Sequence, residues 1–261
     1  FVILLTLCQC IQAQQPRDYL HAAWEKAGGG QAFSGVDSWK ARRHAAITTA
    51  IWQLPAASRA LLQKEADKAM TFAWPALPAM LYLQFRDNGN RSNFESAQFE
   101  RRKVLSALVT GELAAGTGKY IPQIVNGLWA ILEESTWVLP AHISAQKAGT
   151  DLADPAEQVI DLFAGETAAT LSWVQFLLHD QLDSLSPMVN KRITYELDRR
   201  IIKPFLARED FWWMGFKGNP MNNWNIWINT NVLQTALLGV KETDIRNKVV
   251  EKTIRSADFF L

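Results

Sequence analysis

The sequence predicts an all-α fold, and three observations carry that prediction. Beyond residue 34 apolar residues recur at helical spacing almost everywhere. No strand-like alternation lasts more than a few residues. Proline and glycine sit mostly between the periodic stretches, where they end helices.

Trp39, Ala46, Ile47 and Ile51 mark a first helix that opens near Val36. Leu54-Pro55 ends it, because a residue before proline leaves the α region. A second helix runs from Ala56 to Met70, and Trp74-Pro75 and Leu77-Pro78 then break the chain. Ser92 to Ala115 follows, with Phe94, Phe99, Val104, Leu105 and Leu108 as its apolar positions, and Gly116-Thr117-Gly118 is a turn. Ile121 to Trp137 is the next helix, closed by Leu139-Pro140. Asp154 and Pro155 suit a cap and a first helical position, so a long helix is expected to start there and reach about His179. Met188 to Leu206, Trp224 to Leu238 and Thr243 to Leu261 complete the series. About eight helices exceed what a four-helix bundle needs. Antiparallel helix pairs, stacked in a solenoid or closed in a ring, fit better, although no strict sequence repeat is present.

The 261 residues include 27 basic and 26 acidic side chains, a net charge of +1. That balance excludes the broad positive field of a nucleic-acid binder, so no nucleic-acid partner is expected. The opening FVILLTLCQCIQA reads as the end of a secretory signal, cleaved after Ala13. A buried N-terminal strand or helix is the alternative. The apolar run is too short to span a membrane, so no span is expected in the mature protein. Cys8 and Cys10 both lie in this segment, which leaves the remainder without disulfide or thiolate chemistry. Export without disulfides fits a bacterial periplasmic or secreted protein.

Four segments carry candidate chemistry. NPMNNWNIWINTN, residues 219–231, holds six asparagines and two tryptophans at the start of a helix. Asn222, Asn225 and Asn229 fall on one face, and Asn223, Trp227 and Thr230 on its neighbour. Amides suit hydroxyl-rich ligands and can donate to a carboxylate without adding charge. Helix capping is the plainer role for some of them. DFWWMG, 210–215, adds Trp213 and its neighbours; indoles stack on sugar faces, though they also pack cores. In WAILEESTWVLPAH, 129–142, Glu134 and Trp137 share a face and His142 follows the helix break. Either Glu134 or His142 is placed to transfer a proton or bind a hydroxyl, or else is a satisfied structural group. In DLFAGETA, 161–168, Glu166 interrupts an apolar helix and must be paired with an arginine or face a wet cleft. No metal-ligand spacing such as HExxH, no phosphate loop and no nucleophile elbow is present, so no metal or cofactor is expected in this chain.

EESTWVLPAH, DLFAGETAATLSW and NPMNNWNIWINTNVL together resemble the N-terminal helical domain of heparinase II/III-like proteins, over roughly residues 35 to 261. The resemblance implies an incomplete α/α toroid of antiparallel helix hairpins, packed in complete members against a C-terminal β-sandwich that this chain lacks. It divides the chain into a signal remnant (1–13), a linker (14–34) and a toroid domain (35–261) truncated at its C-terminal end. Family members include polysaccharide lyases that cleave acidic, uronate-containing glycans by β-elimination. An asparagine at this place in the toroid neutralises the uronate carboxylate, which here implies Asn223. With Glu134 and His142 it makes the catalytic set. Asn222, Trp224, Asn225, Trp227, Trp137, Trp213 and Glu166 are the expected substrate contacts. Two departures stand out: many family lyases carry His directly after that Asn, where this chain has Trp224, and the family's catalytic Tyr falls beyond Leu261. Arg42-Arg43, Arg101-Arg102-Lys103 and Arg199-Arg200 read as solvated helix faces, which leans against a strongly sulfated substrate. A glycoside hydrolase using Glu134 and Glu166, or a glycan-binding protein without turnover, are the alternatives.

Overall fold

The computed structural model describes residues 16–261, and the proposed signal segment with Cys8 and Cys10 lies outside them. The described chain forms α1 (Tyr19–Lys26), α2 (Val36–Trp52), α3 (Ala56–Ala69), α4 (Ala79–Asn88), α5 (Ser92–Ala115), α6 (Ile121–Leu132), α7 (Leu162–Leu185), α8 (Pro187–Leu197), α9 (Lys203–Ala207), α10 (Asn223–Gly239) and α11 (Thr243–Ala257). There is no strand among the described residues. The all-α expectation holds. No helix among them is long and apolar enough to cross a membrane.

Several boundaries differ from the expected ones, each for a local reason. Residues 16–34 are not a free linker. The Asp258 carboxylate accepts the Leu20 and His21 amides at 2.8 and 2.9 Å, capping α1 from the far end of the chain. Helix α6 stops at Leu132 rather than Trp137 because side chains take its last carbonyls. The Trp137 indole donates to Ile131 O at 3.0 Å, and Arg192 and Arg200 donate to Leu132 O. Asp154-Pro155 makes a turn instead of a helix start: Asp154 Oδ1 accepts the Ala156 amide. The cap of α7 is Asp161, whose Oδ1 accepts the Ala164 amide at 2.7 Å. The expected Met188–Leu206 helix contains a π turn at Asp198–Ile202, just before Pro204. Proline has no amide hydrogen and its ring crowds the carbonyl four residues back, and a wider turn relieves both.

Contacts fix the helix directions. Phe99 meets Phe163, Arg102 reaches Thr167 and Glu112 meets Gln181, so residue numbers rise together on α5 and α7. Glu166 pairs with Trp227 and Trp173 with Gln234, so they rise together on α7 and α10 as well. Helices that follow each of these run the other way. Arg101 reaches Ala130 and Glu112 reaches Tyr120 across α5 and the start of α6. Gln175 meets Thr194 and His179 meets Asn190 across α7 and α8. Helices α3 and α5 approach closely at Gly111, where a Cβ would fall 2.1 Å from Ala66 Cβ.

One core joins these layers, with Leu108, Leu128, Leu171, Ile193 and Val232 all buried in it. Helix α10 shows what it decides. Four of its residues are asparagines, which cost at most about 0.7 kcal/mol each against alanine. Burying Ile228 and Val232 returns roughly 1.5–3 kcal/mol each, so packing outweighs propensity.

Candidate active site

Because α7 and α10 point the same way, their N-terminal ends lie side by side, and most of the sequence candidates gather there. His142 sits in a short 3-10 turn, Pro140–Ala145, that leads toward the start of α7. Its Nδ1 is 2.7 Å from Asp161 Oδ2, which also accepts the Leu139 amide at 3.2 Å. With Ala164 N on Oδ1, three donors aim at a carboxylate only 1% exposed. A carboxylate in that setting accepts, so Nδ1 carries the imidazole proton and Nε2 is the free ring nitrogen. The imidazole meets Trp224 edge to face at 4.6 Å, and Trp224 leans on Trp212 at 5.1 Å. His142, Asp161, Ser144, Trp212 and Trp224 line a cavity of about 370 Å³.

Asn222 caps α10 by accepting the Trp224 amide at 2.9 Å. Asn223 follows it, exposed, and its side chain makes no hydrogen bond with the described residues. One turn further on the same face, Trp227 is 45% exposed and its indole donates to Glu166 Oε1 at 2.9 Å. Burial pushes the Glu166 carboxyl above its ordinary range, the Trp227 hydrogen bond pulls it partly back, and Asp161 adds to the rise.

Four of the expected site residues are buried and hydrogen-bonded within the fold, and one of them, Trp213, also borders the 370 Å³ cavity. Asn225 is fully buried, and its amide donates to Trp213 O at 2.8 Å and Ser256 O at 2.9 Å. Asn229 joins it by donating to Ser256 Oγ at 2.8 Å, so this face of α10 ties the helix to α11 and to the 211–214 turn. Trp213 is 1% exposed, sandwiched between Phe205 and Phe211, with its indole on Ile160 O. Trp137 is equally buried, caps α6, and carries the Arg200 guanidinium over its ring at 4.8 Å. Glu134 has its oxygens taken by Arg101 Nη1 at 2.9 Å and Arg102 Nη2 at 2.7 Å, while Arg200 donates to its carbonyl at 2.6 Å. Those guanidinium groups are themselves buried, so Glu134 is a structural knot tying α5 to the end of α6. A larger cavity of about 440 Å³ borders Arg101 and Glu134. Its buried charges are already paired with one another, so the chemistry points to the smaller cavity.

Sequence reasoning missed Asp161 and Trp212 as site residues. Asp161 was hidden by placing the helix start at Asp154; the buried pair Val159-Ile160 followed by Asp161 and an apolar run is the cap signal that finds it. Among the described residues no group of three or more His, Cys, Asp and Glu side chains is placed to hold a metal ion. No known protein family matches the sequence, and neither does any curated protein.

Proposed function

We propose that the chain is the helical part of an exported bacterial polysaccharide lyase that cleaves uronate-containing glycans by β-elimination. The fold behind this reading is an incomplete α/α toroid. In it α5, α7 and α10 are the inner helices and each is followed by an antiparallel outer one, with a β-sandwich domain completing the cleft. The observation that carries it is the shared N-terminal end of α7 and α10. There an exposed, unpartnered Asn223 lies one residue from the Trp224 that packs on the His142–Asp161 pair.

In this reading the uronate carboxylate meets the Asn223 amide at the positive end of α10. As a base removes the C5 proton, charge moves into the carboxylate and the amide bond to it strengthens. The electron pair forms the C4–C5 double bond, the C4–O4 bond breaks, and O4 takes a proton. His142, held by Asp161, is a proton-transfer group within this cavity, and Trp212, Trp224 and Trp227 supply flat surfaces for sugar rings. A hydrolase built on Glu134 and Glu166 loses its support, because Glu134 gives both oxygens to Arg101 and Arg102.

The test is to express the full-length protein that carries this chain and incubate it with a panel of uronate polymers. Elimination leaves an unsaturated uronate that absorbs in the near ultraviolet. Absorbance rising on at least one polymer is the expected result. New reducing ends without absorbance, or binding without turnover on every polymer, would overturn it in favour of hydrolysis or of glycan recognition alone.

A further inference from the structure

The cavity of about 440 Å³ lies between α4, α5, the end of α6 and the segment around Leu152. Its walls are held in place by the fold itself. Tyr82 and Phe94 meet edge to face at 4.9 Å, and the Tyr82 hydroxyl donates to Val138 O at 3.1 Å. The buried Gln146 amide donates to Gly149 O at 3.0 Å and to Leu152 O at 2.9 Å, and its oxygen accepts the Asp154 amide at 2.8 Å. Those three bonds fix the turn that brings Leu152 to the cavity. Arg86 ties the same turn to α4 through Asp151 at 3.3 Å. The interior is therefore preformed, with Leu77, Tyr82, Phe94 and Leu152 as its main apolar surface.

The polar groups that border the cavity differ in what they can still offer a ligand. Arg101 donates to Pro75 O at 3.1 Å, Ala130 O at 2.7 Å and Glu134 Oε1 at 2.9 Å, and Glu134 accepts from Arg101 and Arg102. A guanidinium whose in-plane hydrogens are taken retains its flat face, which attracts an aromatic ring. Glu133 differs from both: it is exposed, it borders the cavity, and its carboxylate makes no hydrogen bond or ion pair among the described residues. An ionised carboxylate accepts hydrogen bonds and donates none. Charge narrows the ligand further. Arg101 and Arg102 together meet the single carboxylate of Glu134, a net positive wall that disfavours an ammonium, while Glu133 disfavours an acid. We propose that this cavity binds a neutral phenolic ring, seated among Tyr82, Phe94 and Arg101, with its hydroxyl donating to Glu133. The site goes beyond the β-elimination reading and is independent of it. A phenol is uncharged at neutral pH and supplies a donor to the Glu133 carboxylate, a charge-assisted bond. Its ring packs against the two aromatic side chains, and the volume lies within the range of small-molecule pockets.

Ligand-observed NMR titration of the full-length protein that carries this chain tests the site with three probes. They are 4-ethylphenol; 4-ethylanisole, which keeps the ring and loses the donor; and 4-ethylcyclohexanol, which keeps the donor and loses the flat ring. 4-Ethylphenol is expected to bind with a Kd of about 1 mM or tighter, within reach of so small a ligand. Each of the other two is expected to bind about tenfold more weakly. Glu133→Ala, a change at an exposed position, is expected to weaken the phenol about tenfold and to leave the ether unchanged. Ala79→Trp, at the exposed start of α4, narrows the cavity and is expected to weaken phenol and ether alike by about tenfold, with the melting temperature unchanged. No binding of 4-ethylphenol, either control bound as tightly as the phenol, or a phenol affinity unchanged in either variant overturns the proposal.

Discussion

Glu134 and Glu166 are both carboxylates set in apolar helical surroundings, and the fold gives them opposite company. Glu134 lies at the end of α6 with Arg101 and Arg102 on its oxygens and Arg200 on its carbonyl. Glu166 lies one turn into α7 with an indole hydrogen bond and no cation. A buried carboxylate must be compensated, and the manner of compensation separates the two roles. Where arginines from α5 and from the π turn after α8 converge on it, the charge holds elements together. Where a neutral donor meets one oxygen, as Trp227 does for Glu166, the charge ties no arginine into the fold. Helix α10 repeats the contrast within one element: Asn225 and Asn229 bind it to α11, while Asn223 and Trp227 face outward.

The largest expected effect falls on the paired carboxylate. Glu134→Ala leaves two buried guanidinium groups without their anion, and urea denaturation should show a loss of about 3–5 kcal/mol. A loss under about 1 kcal/mol, the range of an exposed pair, would break the contrast at its structural end.

Asp161 joins a structural role to one in the site, so its variants should separate the two. Asp161→Ala removes the α7 cap and should cost about 0.5–2 kcal/mol. Asp161→Asn keeps a cap oxygen and should recover most of that stability, while turnover stays low because the imidazole loses the carboxylate that orients it. Turnover that returns together with stability would reduce Asp161 to a cap.

The smallest effect is expected at Glu166, and its sign is opposite. Its carboxyl is raised in the folded state, so folding favours the protonated form. That bias is neutral below the ordinary glutamate range, and it lowers stability as pH rises from there through the raised folded value. Thermal melts of Glu166→Gln and wild type should therefore coincide in acid and diverge toward neutral pH, with the variant the more stable. A variant less stable at neutral pH would mean that Glu166 has a cationic partner.

Much of the fold was legible because period and punctuation agree. The bounds of α5 were readable in full, and those of α2, α3 and α10 nearly so, from apolar spacing and the prolines or glycines beside them. What failed depended on distant partners. Nothing local says that Asp258 caps α1, or that Arg192, Arg200 and the Trp137 indole end α6 early. Among the candidates, Asn223, Trp224, Trp227, Glu166 and His142 were found as residue types, and the fold puts His142 against Trp224 and Glu166 against Trp227. Trp137 and Asn225, from the same short segments, are buried away from the His142 cavity, while Trp213 is buried and borders it; a tryptophan or asparagine has the same letter whether it faces a cleft or a core. Helical spacing did separate the Asn225 face from the Asn223 face; only packing shows that α11 covers the first.

The measurement that tests the central claim most directly is the turnover of Asn223→Ala on the polymer that the full-length wild type eliminates, with its melting curve recorded alongside. Asn223 is exposed and makes no hydrogen bond with the described residues, so the melt should be unchanged. Loss of one transition-state donor should lower kcat by about 10²–10³-fold. A kcat equal to wild type, with the fold intact, would contradict the account and remove the outer face of α10 from the chemistry.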